Sequence, residues 1–326
     1  MNDGWELNHV GMVVRSKNKI LHYLQSKGVG VSVGPQPLLP YIEGSTTVQL
    51  YRTLYGDSVS STSSSSIPGA HTFYDGESQI GSCQLECIQP GPGSFISDYL
   101  NTKGEGINHL CFNVPDVEKV TQMLMEQGCD LVFSAVTGGQ TVENYLDTRE
   151  HGDVILSFRP PAAEWENAWK ENNVSYPLVN DWAFMGVGVA VENLDETLEY
   201  YRYLGFTEVE PERVVDNNAD STCTVNDEVI DAPVRLRTCS MRVGSIYYDF
   251  LEPVTGENVC AEAFAQRGEG IFSLDFAVSD LDAETARLTG NGLDVALAIE
   301  STDGNKCAYF DTREVGNTLV KLTQMS

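Results

Sequence analysis

Two stretches of the chain alternate apolar and polar side chains in the same way, one hundred residues apart. The first is NHVGMVV at residues 8–14 and the second is NHLCFNV at residues 108–114. Alternation with a period of two predicts β-strands. Each stretch is followed by a polar turn and a helical pattern, ILHYLQSKG in the first case and VTQMLMEQG in the second. We therefore predict two copies of one strand–helix unit in the first half of the chain.

The second half carries the same arrangement, in MGVGVAVENLDE at 185–196 and FSLDFAVSDLDA at 272–283. The halves also match each other. GEGINHLCFNV begins at Gly104 and GEGIFSLDFAV at Gly268, and the same offset of 164 aligns Asp147 of YLDTREHG with Asp311 of YFDTREVG. Further strand patterns close each unit: CQLECIQP, VILSFRPP, IYYDFLEP and TLVKLTQ. We predict an α+β fold of four βαβββ units.

The repeats divide the chain into two domains. We predict the first at residues 1–162 and the second at 180–326, joined by a linker at 163–179 that matches no other part of the chain. The run SVSSTSSSS at 58–66 has low complexity, and we predict a mobile surface loop there.

Composition excludes several classes of protein. The 326 residues are 41% hydrophobic, which suffices for packed cores, and the net charge of −27 opposes binding to nucleic acid or to an anionic membrane. No apolar run approaches the roughly 20 residues that span a bilayer. The first residues do not resemble a signal peptide, so a cytoplasmic protein is expected. The eight cysteines form no CxxC pair, and we expect reduced core thiols.

The alternation also separates the two faces of each strand. Val10, Met12 and Val14 share the face that a following helix would cover, and this leaves His9 on the other face. His109 and Glu86 lie on the corresponding faces of their strands. Two imidazoles and a carboxylate suit a divalent first-row metal. The alternative is that each histidine is an ordinary hydrogen-bonded core residue, but their equivalent positions in the repeat favour the metal site.

These features resemble the vicinal oxygen chelate superfamily, which includes glyoxalase I, methylmalonyl-CoA epimerase and extradiol dioxygenases. The resemblance rests on the four units, on HVGMVV, on GEGINHLCFNV and on the E-x-x-x-P strand end, and it covers nearly the whole chain. The first half is most similar to methylmalonyl-CoA epimerase. The resemblance implies that His9, Glu86 and His109 bind a metal, which would be Zn, Fe, Mn, Co or Ni. The fourth ligand of the family would fall at Leu156, which is not acidic.

The resemblance also implies a reaction. A metal-dependent isomerase or epimerase would act on a carbon next to a carbonyl, with an acyl-CoA thioester as one candidate substrate. Family bases lie between the first helix and the metal-binding strand, so Glu43 is the predicted catalytic base, ahead of His71 and Asp75. An Fe(II) dioxygenase and a non-catalytic protein that binds a small ligand are the alternatives. The expected partner is a small molecule, and a homodimer is compatible with the family.

The second half lacks the predicted ligand set. The positions aligned with His9, Glu86, His109 and Leu156 are Gly186, Asp249, Ser273 and Val320. Since only Asp249 among them could bind a metal, we predict no metal in the second half and a structural or regulatory role for it.

Overall fold

A computed structural model describes residues 4–33, 46–50, 62–64, 73–90, 96–137, 139–161 and 181–325. These residues form two curved mixed sheets of ten strands each, with short helices beside them. The elements of the first half are β1 (Glu6–Val13), α1 (Lys17–Ser26), β2 (Val31–Val33), β3 (Thr46–Leu50), β4 (Thr62–Ser64), β5 (Phe73–Ile80), β6 (Cys83–Pro90), α2 (Ser97–Thr102), β7 (Gly106–Asn113), α3 (Val117–Glu126), β8 (Asp130–Thr137), β9 (Gln140–Asp147) and β10 (Ile155–Arg159).

The second half repeats this order of elements. They are β11 (Ala183–Ala190), α4 (Leu194–Tyr203), β12 (Arg213–Asp216), β13 (Ser221–Val225), β14 (Glu228–Val229), β15 (Arg235–Val243), β16 (Ile246–Thr255), α5 (Val259–Arg267), β17 (Gly270–Val278), α6 (Leu281–Gly290), β18 (Val295–Ser301), β19 (Lys306–Phe310) and β20 (Leu319–Gln324). No helix in the described part of the chain is long and apolar enough to cross a membrane.

The strand order confirms four βαβββ units. The first sheet runs β2-β5-β6-β1-β7-β10-β9-β8-β3-β4, and the second runs β12-β15-β16-β11-β17-β20-β19-β18-β13-β14. The first strands of the two units, β1 and β7, are antiparallel neighbours at the centre, and each is parallel to the last strand of its own unit. The predicted linker at 163–179 lies outside the described residues, so the domain boundaries stay a prediction.

A hairpin inserted into each half was not predicted. In the first half β3 and β4 follow β2 in the chain but pair beyond β8, at the opposite edge of the sheet. Residues 62–64, within the serine-rich run predicted to be a loop, form β4 and pair with β3, so that prediction is wrong for these residues. The other residues of the run lie outside the described part. The second half has the equivalent hairpin in β13 and β14.

Each unit helix begins where a polar side chain caps it. Ser16, Asp116 and Asp280 each accept a hydrogen bond from the backbone N–H three residues later, and Asn193 accepts from the N–H groups two and three residues later. Caps of this kind satisfy N–H groups that the first turn leaves without a partner. The polar turn after each repeated strand therefore starts the helix at the same place in every unit.

The two faces of each sheet have different surroundings. The helix-side residues of both halves form one continuous hydrophobic cluster, which includes Val10, Met12 and Leu110 from the first half and Val187 and Leu274 from the second. The predicted face for the first-half residues is therefore confirmed. The concave faces have separate clusters of their own, one in each half. All eight cysteines are free thiols, as expected, and seven are buried.

The halves contact each other through matching pairs of residues. Trp5 packs against Gly244, in the turn between β15 and β16, and Trp182 packs against Gly81, in the turn between β5 and β6. Both glycines have positive φ, 59° at Gly244 and 50° at Gly81, and a Cβ at either would collide with the tryptophan backbone. Glycine is needed there for the turn and for the close approach.

Two glutamates form a second matching pair between the halves. Glu105 accepts hydrogen bonds from the backbone N–H of Arg15 in its own half and of Gly316 in the other half. Glu269 accepts from Glu192 in its own half and from Gly152 in the first half. Each glutamate thus joins the end of a strand in its own half to the DTRE-containing loop of the other half. Because the contacts are reciprocal, an approximate twofold axis relates the two halves.

Candidate metal centre

Three side chains that the sequence predicts as metal ligands meet on the concave face of the first sheet. His9 of β1 and His109 of β7 are buried, and their Nε2 atoms lie 3.2 Å apart. Glu86, on β6 at the other side of β1, places its Oε2 3.3 Å from Nε2 of His9 and 3.9 Å from Nε2 of His109. The three donor atoms therefore converge on one point.

The asparagine before each histidine determines which ring nitrogen carries the proton. Nδ1 of His9 lies 2.7 Å from Oδ1 of Asn8, and Nδ1 of His109 lies 2.9 Å from Oδ1 of Asn108. Asn8 is held in this orientation because its Nδ2 donates to Asn113 and its Oδ1 accepts from Arg159. An imidazole that donates from Nδ1 leaves the Nε2 lone pair free for a metal. The repeated dipeptide Asn-His is thus the unit that builds the site.

Gly11 provides the space that the second imidazole occupies. Gly11 is the register partner of His109 across the β1–β7 pair, and a Cβ at Gly11 would overlap the His109 ring. The glycine of HVGMVV is therefore a requirement of the site.

Burial controls the protonation of all three groups. Desolvation lowers the pKa of His9 to about 4. Desolvation, together with the neighbouring His9, lowers the pKa of His109 to about 3. Desolvation also raises the pKa of Glu86 to about 7. Both imidazoles are therefore neutral near pH 7, which is the form that binds metals.

The donor set fits a divalent first-row ion. Donors bound at about 2.1 Å lie roughly 3.0–3.4 Å apart when their bonds meet at right to tetrahedral angles. The separations of His9 Nε2 from His109 Nε2, 3.2 Å, and from Glu86 Oε2, 3.3 Å, fall in this range, while the 3.9 Å between His109 Nε2 and Glu86 Oε2 corresponds to a wider angle. Without a cation or a proton between them, the two Nε2 lone pairs would face each other at close range. The arrangement suits an ion that satisfies all three donors.

Three further side chains near the site were not predicted to act there. The Tyr145 hydroxyl, on β9, lies 3.2 Å from Nε2 of His109. Glu143, also on β9, and Cys111, on β7, form a second group of candidate ligands with His9, their donor atoms all within 4.8 Å of one another. The alternation of QTVENYLD places Glu143 and Tyr145 on one face of the strand, but it does not show that this face is concave.

The structure corrects the position of the missing fourth ligand. Leu156 pairs with Leu110 in the parallel β7–β10 register and belongs to the helix-side cluster. The concave-face residues of β10 are Ile155, opposite His109, Ser157, opposite Cys111, and Arg159, opposite Asn113. Leu156 is therefore not the equivalent of a ligand, and the polar residues of the last strand on the site face are Ser157 and Arg159. Val320, assigned as the second-half equivalent, likewise pairs with Leu274 on the helix side.

Of the three residues considered for proton transfer, the structure places one, Asp75. Glu43 and His71 lie outside the described residues. Asp75 lies in β5, as the register partner of Ile88. The assignment of Glu43 as the base stays a prediction.

The equivalent place in the second half holds an ion pair. Lys321 of β20 places its Nζ 2.9 Å from Oδ2 of Asp249 and 2.9 Å from Oδ2 of Asp275. The two carboxylates also accept hydrogen bonds from Ser240 and Ser273, respectively. Burial alone would lower the pKa of Lys321, but the carboxylates raise it well above its ordinary value, so the ammonium stays charged. Asp249 was the one aligned position expected to be able to bind a metal, and the structure places a second carboxylate, Asp275, beside it.

Solved structures resemble the whole chain in fold. A mutant of 4-hydroxymandelate synthase from Streptomyces coelicolor superposes with a TM-score of 0.63 at 14% identity, covering 98% of this chain and 92% of its own. A fusion of a xylose isomerase-like TIM barrel with 4-hydroxyphenylpyruvate dioxygenase gives a TM-score of 0.54 at 11% identity, covering 98% of this chain and 49% of its own. At these identities the likeness shows the fold.

A third structure matches part of the chain. Methylmalonyl-CoA epimerase from Mycobacterium tuberculosis is 23% identical with a TM-score of 0.35, covering 44% of this chain and 88% of its own. None of the curated proteins compared with the chain matches it. A family model described as "Glyoxalase/Bleomycin resistance protein/Dioxygenase superfamily" matches residues 8–145 and again 185–310. The two matched regions include most of both halves, and the chain therefore belongs to this superfamily, which is also called the vicinal oxygen chelate superfamily.

Proposed function

We propose that the first half is a divalent-metal-dependent isomerase or epimerase that acts on a carbon next to a carbonyl. The observation that carries this proposal is the convergence of two neutral Nε2 atoms and the Glu86 carboxylate on one point of a concave face. The metal would be Zn, Fe, Mn, Co or Ni, and when bound it would polarise the substrate carbonyl as a Lewis acid.

The residues of the site have distinct roles in this proposal. His9 and His109 bind through Nε2, while Asn8 and Asn108 hold the Nδ1 protons. The histidines add no charge, so the Glu86 carboxylate and a divalent ion together leave one net positive charge. A positive charge within a buried site stabilises the negative charge that develops on a carbonyl oxygen when the adjacent carbon loses a proton.

The group that moves the proton would be Glu43, as the sequence predicts. The last strand provides no carboxylate, because the polar residues of β10 on the site face are Ser157, whose hydroxyl is a poor base, and Arg159, which is a cation. Glu43 lies in the chain between β2 and β3, which are near opposite edges of the sheet. An acyl-CoA thioester is the first substrate class to test, because of the sequence resemblance to methylmalonyl-CoA epimerase.

A second candidate function is an Fe(II)-dependent dioxygenase of the same superfamily. The observation that favours it is the ligand set itself, two histidines and one carboxylate, which is the set of non-haem Fe(II) oxygenases. The likeness to 4-hydroxymandelate synthase concerns the fold and does not decide between the two reactions. A protein that binds a small ligand without chemistry is the third possibility, and absence of any bound metal would favour it.

Metal content tests the site. His9→Ala and His109→Ala should each lose the metal that purified wild-type protein carries or takes up, as measured by elemental analysis. His22→Ala, which changes an exposed histidine of α1, is the matched control and should keep it. Unchanged metal content in both site variants would refute the proposal.

Hydrogen exchange distinguishes the two reactions. An isomerase loaded with metal should exchange the proton next to the carbonyl of a bound thioester with deuterium from anaerobic buffer, and Glu43→Gln should lose this exchange while keeping the metal. Glu126→Gln, at an exposed position of α3, is the control. Turnover that requires both O2 and Fe(II), with no exchange in the absence of oxygen, would establish the dioxygenase instead.

A further inference from the structure

Glu143 is a carboxylate that the predicted ligand set does not use. It lies on β9, and a carboxylate oxygen is within 4.8 Å of the donor atoms of His9 and Cys111. Its Oε1 is buried and has no hydrogen-bond partner. A buried carboxylate oxygen without a partner is costly unless something absent from the polypeptide satisfies it. His9 belongs both to this group and to the group with Glu86 and His109, so the two groups adjoin; the Glu143 oxygen is more than 4.8 Å from at least one donor of the other group and must turn toward the ion to bind it.

The second half keeps a carboxylate at this place, but on the neighbouring strand. The register partner of Ser157 is Cys111 in the first sheet, and that of Lys321 is Asp275 in the second, so Cys111 corresponds to Asp275. The offset of 164 aligns Glu143 with Cys307. One half therefore has cysteine on the central strand and a carboxylate on β9, while the other has a carboxylate on the central strand and cysteine on β19. The carboxylate is present in both halves although the strand that supplies it differs.

The two halves differ in what this carboxylate faces. In the second half Asp275, together with Asp249, binds the ammonium of Lys321. Asp249 corresponds to Glu86, since each is the parallel register partner of a glycine, Gly188 in one case and Gly11 in the other. The first half has Ser157 where the lysine would be. It therefore has both carboxylates of the second half without a lysine at this position, and the cation on the same face of its last strand is Arg159, two residues beyond Ser157.

We propose that Glu143 is the fourth protein ligand of the metal, with His9, Glu86 and His109, and that Lys321 takes the place of this metal in the second half. The inference rests on the proposed metal site and extends it. It assigns the fourth ligand to the strand before the last, in place of the last strand, and it explains why the second half needs no metal. Glu86, Glu143, a divalent ion and the buried Arg159, whose charge also acts on Glu86, sum to one net positive charge, so the site stays positive when Glu143 is a ligand.

Cobalt binding tests the inference, because Co²⁺ reports its ligands by visible absorption. Glu143→Gln should weaken Co²⁺ binding by at least about tenfold, the cost of losing even an outer-shell partner, and should change the absorption spectrum of bound Co²⁺. Glu126→Gln, on the exposed face of α3, should change neither. Cys111→Ser should keep the affinity, and wild-type protein should show no thiolate-to-cobalt charge-transfer band.

The outcomes separate this inference from the proposal on which it rests. If wild-type protein and Glu143→Gln bind Co²⁺ with equal affinity and equal spectra while His9→Ala does not bind it, Glu143 is not a ligand but the metal site stands. A thiolate band that disappears in Cys111→Ser would assign the ligand to Cys111 and overturn the inference. If wild-type protein binds no Co²⁺ at all, both are wrong.

A lysine introduced at residue 157 tests the same inference from the other direction. Ser157→Lys should place an ammonium between Glu86 and Glu143, as Lys321 lies between Asp249 and Asp275, and should abolish Co²⁺ binding without lowering the Tm by more than a few degrees. Adding Glu143→Gln removes one partner of that ammonium, so the double variant should have a lower Tm than Ser157→Lys alone. A folded Ser157→Lys protein that binds Co²⁺ with wild-type affinity would contradict the inference.

Discussion

Ser157 and Lys321 occupy the same register position in the two sheets. Ser157 pairs with Cys111 on the central strand of the first sheet, and Lys321 pairs with Asp275 on the central strand of the second. Both project onto a concave face, where one leaves two carboxylates for an added cation and the other supplies the cation itself. In our proposal this difference, together with the absence of both histidines at Gly186 and Ser273, separates a site that a metal can enter from one that the lysine already fills.

Removal of the lysine should destabilise the second half. In Lys321→Met the carboxylates of Asp249 and Asp275 lose their shared partner within a buried site, and loss of one partner from such a group costs about 3–5 kcal/mol. Urea denaturation should show a corresponding fall in the free energy of unfolding. Lys306→Met, which breaks a surface ion pair with Glu300, should change it by about 1 kcal/mol or less.

Neutralising the carboxylates provides the control for this prediction. Lys321→Met combined with Asp249→Asn and Asp275→Asn should recover much of the lost stability, because no uncompensated charge remains buried. If Lys321→Met alone is as stable as the wild type, the ion pair does not stabilise the fold.

Metal uptake should release a proton from Glu86 and not from the histidines. Burial raises the pKa of Glu86 to about 7, so at about pH 6 the metal must displace a proton from it, whereas at about pH 8 it need not. The pKa values of His9 and His109, about 4 and 3, leave both rings neutral throughout this range. Affinity should therefore rise with pH up to about 7 and then level off.

Calorimetry in two buffers of different ionisation enthalpy measures this proton. We expect the release of about one proton per metal ion near pH 6 and of far less near pH 8. Release of two or three protons near pH 6 would mean that the histidines are protonated in the metal-free protein, contrary to the effect of their burial.

Gly11→Ala should disrupt the site by displacing a ligand from the neighbouring strand. The new methyl group would overlap the His109 ring, which must then move away from His9. Metal affinity should fall by at least about tenfold. Gly290→Ala is the control, since its Cβ would enter open space at the end of α6, and it should leave metal affinity unchanged. A metal-binding Gly11→Ala protein would show that the histidine has room to rearrange.

Asn8→Ala and Asn108→Ala should weaken metal binding although neither residue is a ligand. Each removes the acceptor that holds a histidine Nδ1 proton, and losses of such partners cost about 10–100-fold in affinity. Asn108→Asp keeps an acceptor and should retain more affinity than Asn108→Ala. Asn218→Ala, at an exposed position of the second half, should have no effect, so an equal loss in all variants would argue against the tautomer role.

The repeats in the sequence predicted the fold well because each unit is a local pattern. Alternation identified the strands and placed Glu86 on the same kind of face as the histidines, the repeat at 100 residues paired His9 with His109, and the offset of 164 matched the two halves. The β3–β4 hairpin was not predicted, because the pairing of β3 with β8 is a long-range contact that a serine-rich sequence does not indicate. Register was the other source of error, since a shift of one residue moved the predicted fourth position from Ser157 to Leu156 and so to the opposite face.

Glu143 was missed for a different reason, although a signal was present. The same offset that aligns the halves pairs Cys111 with Asp275 and Glu143 with Cys307, so that cysteine and carboxylate exchange places. Each substitution taken alone looks like a lost ligand. The structure shows that β9 and β7 contribute to the same cleft. The exchange of cysteine and carboxylate between these two strands therefore leaves one carboxylate in the cleft of each half.

The matching contacts between the halves, Trp5 with Gly244 and Trp182 with Gly81, have a consequence for how this chain could diverge. The two subunits of a homodimer have identical sequences, and they must meet by diffusion at their cellular concentration. Here the connecting peptide makes the encounter intramolecular, so assembly does not depend on concentration. One half of the chain can then lack metal ligands, carry Lys321 and serve only to pack against the other half. Identical subunits could not differ from each other in this way.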